Sequence, residues 1–145
     1  MTEVSFYTGV PDRVDYACRL LRKAVLQGAK VTVYGPASQL DRLDKRLWAF
    51  EATEFVPHLR WSAAQGRVLT PAMQDTPIWL VEDIHSSPHH EVLLNLGDEQ
   101  VPGFETFARV LEVVSTAESD ASAGRERFKL YRAQGLSVKH HEVGK

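Results

Sequence analysis

Residues 4–34, VSFYTGVPDRVDYACRLLRKAVLQGAKVTVY, place a strand, a helix and a second strand in close succession and set the fold class. Val4–Tyr7 is a β-prone run that ends in turn residues. Asp12 is suited to cap the helix that follows, whose apolar residues recur at helical spacing until Gly28 ends it. Lys30–Tyr34 is the second strand. This βαβ unit predicts parallel pairing of its two strands with a right-handed crossover.

The alternation of strands and helices continues downstream. Ser38 is placed to cap a second amphipathic helix. The runs 78–81 (IWLV) and 92–96 (VLLNL) are continuously apolar, as expected for inner strands of a sheet covered on both faces. The sequence predicts a single α/β domain over residues 1–145, with three α/β/α layers and a largely parallel sheet.

The C-terminal third of the chain is predicted as a strand, a loop, a helix and a tail. Val110–Val114 is a strand candidate, and the small, polar and acidic stretch Ser115–Gly124 is predicted as a loop. The helix Arg125–Gln134 follows, and a glycine stops it. Leu136–Val143 is predicted as a trailing strand or ordered tail.

Composition and charge exclude several classes of protein. The 145 residues carry a net charge of −2, which lacks the basic excess of a nucleic-acid binder. Cys18 is the only cysteine, which excludes an internal disulfide and favours a reducing compartment. No signal peptide is recognised in the first ten residues, and no apolar run is long enough to span a bilayer. We expect a cytoplasmic protein without membrane contact and with negligible direct DNA binding.

The charges are unevenly distributed. From residue 121 to the end there are six cations and two carboxylates, whereas residues 82–112 hold seven carboxylates and one arginine. A local basic face on an acidic body favours a short acidic partner over a long polyanion. Two solvated faces without a partner explain the distribution equally well.

Motifs for nucleotide or nucleophilic chemistry are absent from the sequence. There is no GxxxxGK[ST], no GxGxxG after the first strand and no GxSxG. Cys18 falls on the inward face of the first helix. The turn Gly35–Ser38 joins a strand to a helix, where an anion could bind, although a simple turn and cap explain it better. A small nucleotide- or phosphate-binding α/β enzyme is therefore the alternative to a non-catalytic protein.

A group of histidines lies in one loop, with His85, His89 and His90 close to Glu82 and Asp83. Imidazole and carboxylate groups can bind zinc. The spacing of HExxH on a helix and paired cysteines are both missing, so a polar surface loop is the better interpretation. We predict no metal and no cofactor.

The last predicted helix presents a basic and aromatic face. At 100° per residue, Arg125, Phe128, Lys129 and Arg132 lie within an arc of about 100°. Such a face suits a peptide that carries aspartates and ends in an apolar side chain with a free carboxylate. A solvated helix face with Phe128 turned inward fits the spacing equally well.

An aromatic cluster follows the second helix and consists of Trp48, Phe50, Phe55, Pro57, His58 and Trp61. Large aromatic residues at such a place fill a core or form the centre of a protein interface. From the residue types alone, a role in the core is favoured.

Three segments carry a resemblance to a known family: LDKRLW at 43–48, EFVPH at 54–58 and RERFKLYRAQG at 125–135. Together they resemble the chi subunit of the bacterial DNA polymerase III holoenzyme, with matches in order from Phe6 to the last helix. The loop 66–76 and the tail after Gly135 match poorly. The resemblance implies a fold with nucleotide-binding-like topology but no phosphate loop, and a non-catalytic adaptor function.

The resemblance also implies two partners. One is the acidic C-terminal tail of the single-stranded DNA-binding protein, and the other is the psi subunit, which links chi to the clamp loader. The positions that match the tail-binding region are Arg125, Phe128 and Lys129, to which the helical arc adds Arg132. The positions that match the psi interface are Trp48, Phe55, Pro57 and His58. A helicase-linked repair function through the same surfaces is not separable from replication by sequence.

Overall fold

The computed structural model describes residues 2–49, 56–61 and 70–143. Its strands are β1 (Glu3–Val10), β2 (Val31–Tyr34), β3 (His58–Arg60), β4 (Ile78–Val81), β5 (Val92–Asn95), β6 (Arg109–Ser115) and β7 (Ser137–Glu142). Its helices are α1 (Arg13–Leu26), α2 (Ala37–Ala49), α3 (Pro71–Asp75) and α4 (Glu118–Ala133), with short 3-10 turns at Ile84–Ser86 and Phe104–Thr106. None of the helices in these ranges is long and apolar enough to cross a lipid bilayer.

The seven strands found in the described ranges form one parallel sheet in the order β3-β4-β2-β5-β6-β1-β7. The predicted direct pairing of β1 with β2 is wrong, because β5 and β6 lie between them. These two strands are buried along nearly their whole length and occupy the part of the sheet that is covered on both faces. Helix α1 packs on β6 and on α2, so the connection from β1 to β2 passes over the intervening strands.

Two separate apolar clusters cover the two faces of the sheet. On one face, α1 and α2 contribute Cys18, Leu21 and Leu43, which belong to a cluster with strand residues such as Val33 and Leu94. On the other face, the cluster contains Phe6, Leu93, Phe104, Val110 and Tyr131, and Tyr131 comes from α4. The three-layer α/β/α prediction is confirmed. The apolar runs that form β4 and β5 are inner strands, as predicted.

The prediction of a loop over 115–124 is wrong from Glu118 onward, because α4 already begins there. The carboxylate of Asp120 accepts a hydrogen bond from the backbone N–H of Ser115 at 2.6 Å, which ties the first turn of α4 to the end of β6. The acidic residues in this first turn also suit the helix dipole. Small polar residues that are typical of loops therefore form the N-terminal half of a helix.

Other boundaries also differ from the expectations. Ser38 does not cap α2: the helix begins at Ala37, and the carbonyl of Pro36 accepts hydrogen bonds from the N–H groups of Gln39 and Leu40. The segment around His58, within the aromatic cluster, contains the short edge strand β3. The C-terminal tail is a strand, β7, which pairs in parallel with β1.

Candidate protein-binding site

A groove of about 860 Å³ lies between α4 and the strands β1, β6 and β7. We call it the α4–β7 pocket. Its lining residues are Phe6, Thr8, Gly9, Val114, Ser115, Thr116, Ala121, Gly124, Arg125, Phe128, Lys129, Arg132 and His140. All four residues predicted from the helical arc (Arg125, Phe128, Lys129 and Arg132) are therefore brought together in one cavity.

The floor of the α4–β7 pocket is aromatic. Phe128 is half-buried and meets the ring of Phe6 edge-on, with centroids 5.2 Å apart and planes at 68°. The guanidinium carbon of Arg132 lies 5.9 Å from the centroid of Phe128, within the range of a cation–π contact. Phe128 thus packs on the sheet and still lines the pocket. It is neither turned fully inward nor fully exposed, the two arrangements that its spacing in the sequence allowed.

The cations of the pocket are exposed. Arg125 makes no side-chain hydrogen bond or salt bridge within the described part of the chain. Lys129 lies 3.8 Å from the carboxylate of Glu126, and both side chains are about three-quarters exposed. A pair as exposed as this one contributes little to stability. Both cations are therefore available to an acidic ligand.

A close approach of α4 to the sheet forms the inner end of the pocket. A Cβ added to Gly124 would lie 2.7 Å from one methyl carbon of Val114 and 2.8 Å from the other. Glycine is disfavoured in the interior of a helix, so its presence here is explained by this contact. The absence of a side chain at this position lets Phe128, one turn later, lie over β1.

A buried polar network fixes the rotation of α4. The carboxylate of Glu112 on β6 accepts hydrogen bonds from Nε of Arg127 at 2.9 Å and from the hydroxyl of Tyr131 at 2.7 Å. The side-chain amide of Asn95 donates to the same carboxylate. Arg127 also donates to the carbonyl of Asp98 at 2.7 Å. Because Arg127 and Tyr131 point inward, the arc that carries Arg125 is directed away from the core.

Burial dominates the electrostatics of this network. Glu112 is fully buried, and loss of solvent raises the pKa of its carboxyl, while the charge of Arg127 acts in the opposite direction. Burial and the neighbouring Glu112 raise the pKa of the Tyr131 hydroxyl, so it stays a hydrogen-bond donor. The network therefore acts as structural support for the pocket.

Trp48 dominates the second predicted surface, at the C-terminal end of α2. Its side chain is 62% exposed and meets the ring of His58 edge-on, with centroids 4.9 Å apart. The core role that the residue types favoured is therefore wrong for Trp48. Pro57 is half-buried. Phe50 and Phe55 lie outside the described residues.

His58 lies beneath Trp48 with a fully buried side chain. Its Nδ1 is 2.7 Å from the carbonyl oxygen of Val56, and its Nε2 is 2.9 Å from the carboxylate of Asp44 on α2. Of the four residues matched to the psi interface, Trp48 is thus exposed, whereas the side chain of His58 is buried.

Nucleotide-binding α/β folds hold their ligands at the carboxyl edge of the sheet. A second pocket of about 390 Å³ lies there, and Asp12, Arg13 and Arg42 are among its lining residues. A Cβ at Gly35 would lie 3.1 Å from Cβ of Leu96, so this glycine is explained by packing. The N-terminus of α1 is occupied by the carboxylate of Asp12, which accepts hydrogen bonds from the N–H groups of Val14 and Asp15. A carboxylate at that place repels phosphate.

Cys18, His89 and His90 are engaged in packing or polar contacts. Cys18 is buried, and burial raises the pKa of its thiol to about 12, which leaves little thiolate at neutral pH. His90 stacks on Phe107 at 4.3 Å, and His89 lies near the hydroxyl of Thr32. No group of three or more histidine, cysteine, aspartate or glutamate side chains in the described ranges is placed to hold a metal ion.

Some pocket residues were not predicted from the sequence. The register of β7 on β1 pairs Phe6 with His140, and this pairing brings His140 into the pocket. Thr8 and Gly9 join it from the end of β1. No local motif marks these positions, because their proximity depends on the edge placement of β7.

Comparison with known proteins gives a consistent result. The family model described as "DNA polymerase III chi subunit, HolC" matches residues 1–139. A Pseudomonas aeruginosa (strain PAO1) protein named DNA polymerase III subunit chi is 33% identical over 150 residues, covering 99% of this chain and 98% of the relative. The proteins of the same name from Haemophilus influenzae and Escherichia coli K12 are each 29% identical, over 90% and 69% of this chain and 87% and 64% of their own lengths.

Proposed function

Because the chain belongs to the DNA polymerase III chi subunit family and is an accessory subunit in DNA replication, we propose that it is a non-catalytic adaptor that bridges two proteins. In this proposal the α4–β7 pocket binds the acidic C-terminal tail of the single-stranded DNA-binding protein. The surface around Trp48 binds the psi subunit and thereby the clamp loader. The adaptor would act in the cytoplasm and hold the polymerase on template coated with the DNA-binding protein.

The observation that carries the proposal is the combination of an aromatic floor with exposed cations in one groove. Phe128 offers a ring on which an apolar terminal side chain can stack. Arg125 lines the same pocket and supports the proposal, because a guanidinium can donate charge-assisted hydrogen bonds to a terminal carboxylate. Lys129 and Arg132 add positive charge for the preceding aspartates. The pocket therefore offers a suitable group for the apolar side chain, the terminal carboxylate and the aspartates of such a tail.

The tail proposal is tested with two synthetic aspartate-rich peptides that differ only in a terminal phenylalanine. Burial of one phenylalanine side chain is worth about 1.5–3 kcal/mol, so its removal should weaken binding by roughly ten- to a hundredfold. Isothermal titration calorimetry measures both affinities. Equal binding of the two peptides would show that the aromatic floor does not receive the tail and would reject the proposal.

The psi proposal depends on Trp48 as a central contact. Exposed tryptophans that become buried in an interface commonly contribute about 2 kcal/mol or more. The substitution Trp48→Ala should therefore weaken binding of purified psi subunit by about thirtyfold. Leu26→Ala is the control, because Leu26 is also an exposed large apolar residue, 72% accessible, at the end of α1. If both variants bind psi like the parent protein, the interface lies elsewhere.

A further inference from the structure

Among the described residues that line the α4–β7 pocket, one ionisable side chain does not come from α4. His140 lies on β7, where the parallel register with β1 places it beside Phe6. Its Nε2 is 2.6 Å from the hydroxyl oxygen of Thr8. Its ring meets Phe128 edge-on, with centroids 6.1 Å apart and planes at 70°. The imidazole is exposed and is held in the pocket wall by these two contacts.

The charged side chains that line the same pocket as His140 are cations of α4. Helix α4 contributes Arg125, Lys129 and Arg132 to the same pocket, and Glu126 lies beside Lys129. Strand β1 contributes only the Thr8 hydroxyl as a polar side chain to the pocket lining.

The charged residues of β7 itself are divided between the two faces of the sheet. Alternation along the strand places Glu142 on the face of His140, and Lys139 and His141 on the opposite face. His141 there stacks on the ring of Tyr7, with centroids 4.9 Å apart. The two adjacent histidines therefore lie in different environments, and only His140 lines the pocket.

The contact with Thr8 restricts how the imidazole can bind a ligand. One ring nitrogen, Nε2, is engaged by the hydroxyl, which can donate or accept a hydrogen bond. When both ring nitrogens carry protons, Nε2 donates to Thr8 and Nδ1 remains as a second donor with a positive charge. A carboxylate is the ligand group that accepts from such a donor most strongly.

We propose that His140 is a further ligand-binding residue of the α4–β7 pocket, which contacts a carboxylate of the bound acidic peptide as an imidazolium. This inference rests on the proposed function, since it concerns the same peptide. It implies that affinity rises as the pH falls, because histidine is the side chain that gains charge between about pH 8 and pH 5. Arginine, lysine and aspartate side chains in general do not change their charge over that range.

The test is titration of the phenylalanine-ended acidic peptide at about pH 8 and about pH 5.5 with three proteins: the parent, His140→Gln and His141→Gln. Glutamine keeps a hydrogen-bonding group but cannot become charged. The parent and His141→Gln should bind two- to fivefold more tightly at the lower pH, the range expected for an exposed charge pair. His140→Gln should show no such gain. Thermal unfolding midpoints of the three proteins check that each one is folded.

The possible outcomes separate the inference from the function on which it rests. A pH-dependent gain that persists in His140→Gln, or that is lost in His141→Gln instead, would overturn the role of His140 and leave the tail-binding proposal intact. A parent protein that binds the peptide equally at both pH values would also overturn the role of His140 without affecting the tail-binding proposal. Absence of peptide binding to the parent protein at either pH would reject the tail-binding function together with this inference.

Discussion

Replacing Glu112 by glutamine is expected to lower the free energy of unfolding by about 3–5 kcal/mol. The carboxylate is fully buried and is the charge partner of Arg127, whose side chain is only 3% exposed. The variant leaves that guanidinium charge uncompensated in the interior. It also places an amide where the Tyr131 hydroxyl and the Asn95 amide both donate. A loss of this size is a large part of the 5–15 kcal/mol that is typical of a domain.

Urea denaturation of the purified variant measures this effect directly. The matched control is Glu126→Gln, on the adjacent α4, because that carboxylate is 75% exposed and its change should stay within about 0.5 kcal/mol. Because the buried network sets the rotation of α4, Glu112→Gln should also weaken peptide binding at the α4–β7 pocket. A variant as stable as the control would show that the ion pair does not support the helix.

The pattern of the sequence predicted the layers of the fold and the grouping of Arg125, Phe128, Lys129 and Arg132 on one face of α4. The continuous apolar runs around Trp79 and Leu93 identified inner strands, because both faces of such strands are covered. The spacing from Arg125 to Arg132 predicted a shared face, because the pitch of an α-helix fixes the angle between its side chains. Both features are local properties of short segments.

The remaining features depend on contacts between distant segments, which no local pattern reveals. The strand β1 lies between β6 and β7, which are distant from it in the sequence, so the pairing with β2 was predicted wrongly. The partnership of Glu112 with Arg127, 15 residues apart, exists only after β6 and α4 have packed together. The entry of His140 into the pocket follows from edge pairing, 132 residues away from Thr8.

The early start of α4 is a related case. The segment before Arg125 contains small residues that are usual in loops, and the helix forms there because tertiary contacts outweigh weak local preference. Gly124 shows this most clearly, since a residue that disfavours a helix is required by the close contact with Val114. Tertiary packing therefore explains why α4 begins at Glu118 and not at Arg125, where local propensity predicted its start.

Arg125→Ala is expected to weaken binding of the acidic peptide by about 1.5–3 kcal/mol, or roughly ten- to a hundredfold. The guanidinium lines the α4–β7 pocket and has no competing ion pair within the ranges that the structure describes, so it can donate to a terminal carboxylate. Higher salt should weaken binding to the parent protein more than binding to the variant, because the variant has one cation fewer.

The matched control for this substitution is Arg109→Ala. Arg109 is an exposed arginine at the first residue of β6, and it does not line the pocket. The two variants have the same net charge, so a difference between them reports on the position of the charge and not on its amount. The loss of side-chain volume is also the same in both variants.

The measurement that tests the central claim most directly is the affinity of the phenylalanine-ended peptide for Arg125→Ala and Arg109→Ala, compared by calorimetry in one buffer. If α4 binds the tail, the affinity should fall at least tenfold for Arg125→Ala and stay like that of the parent protein for Arg109→Ala. Equal affinities of the two variants would contradict the assignment of this pocket to the tail of the single-stranded DNA-binding protein.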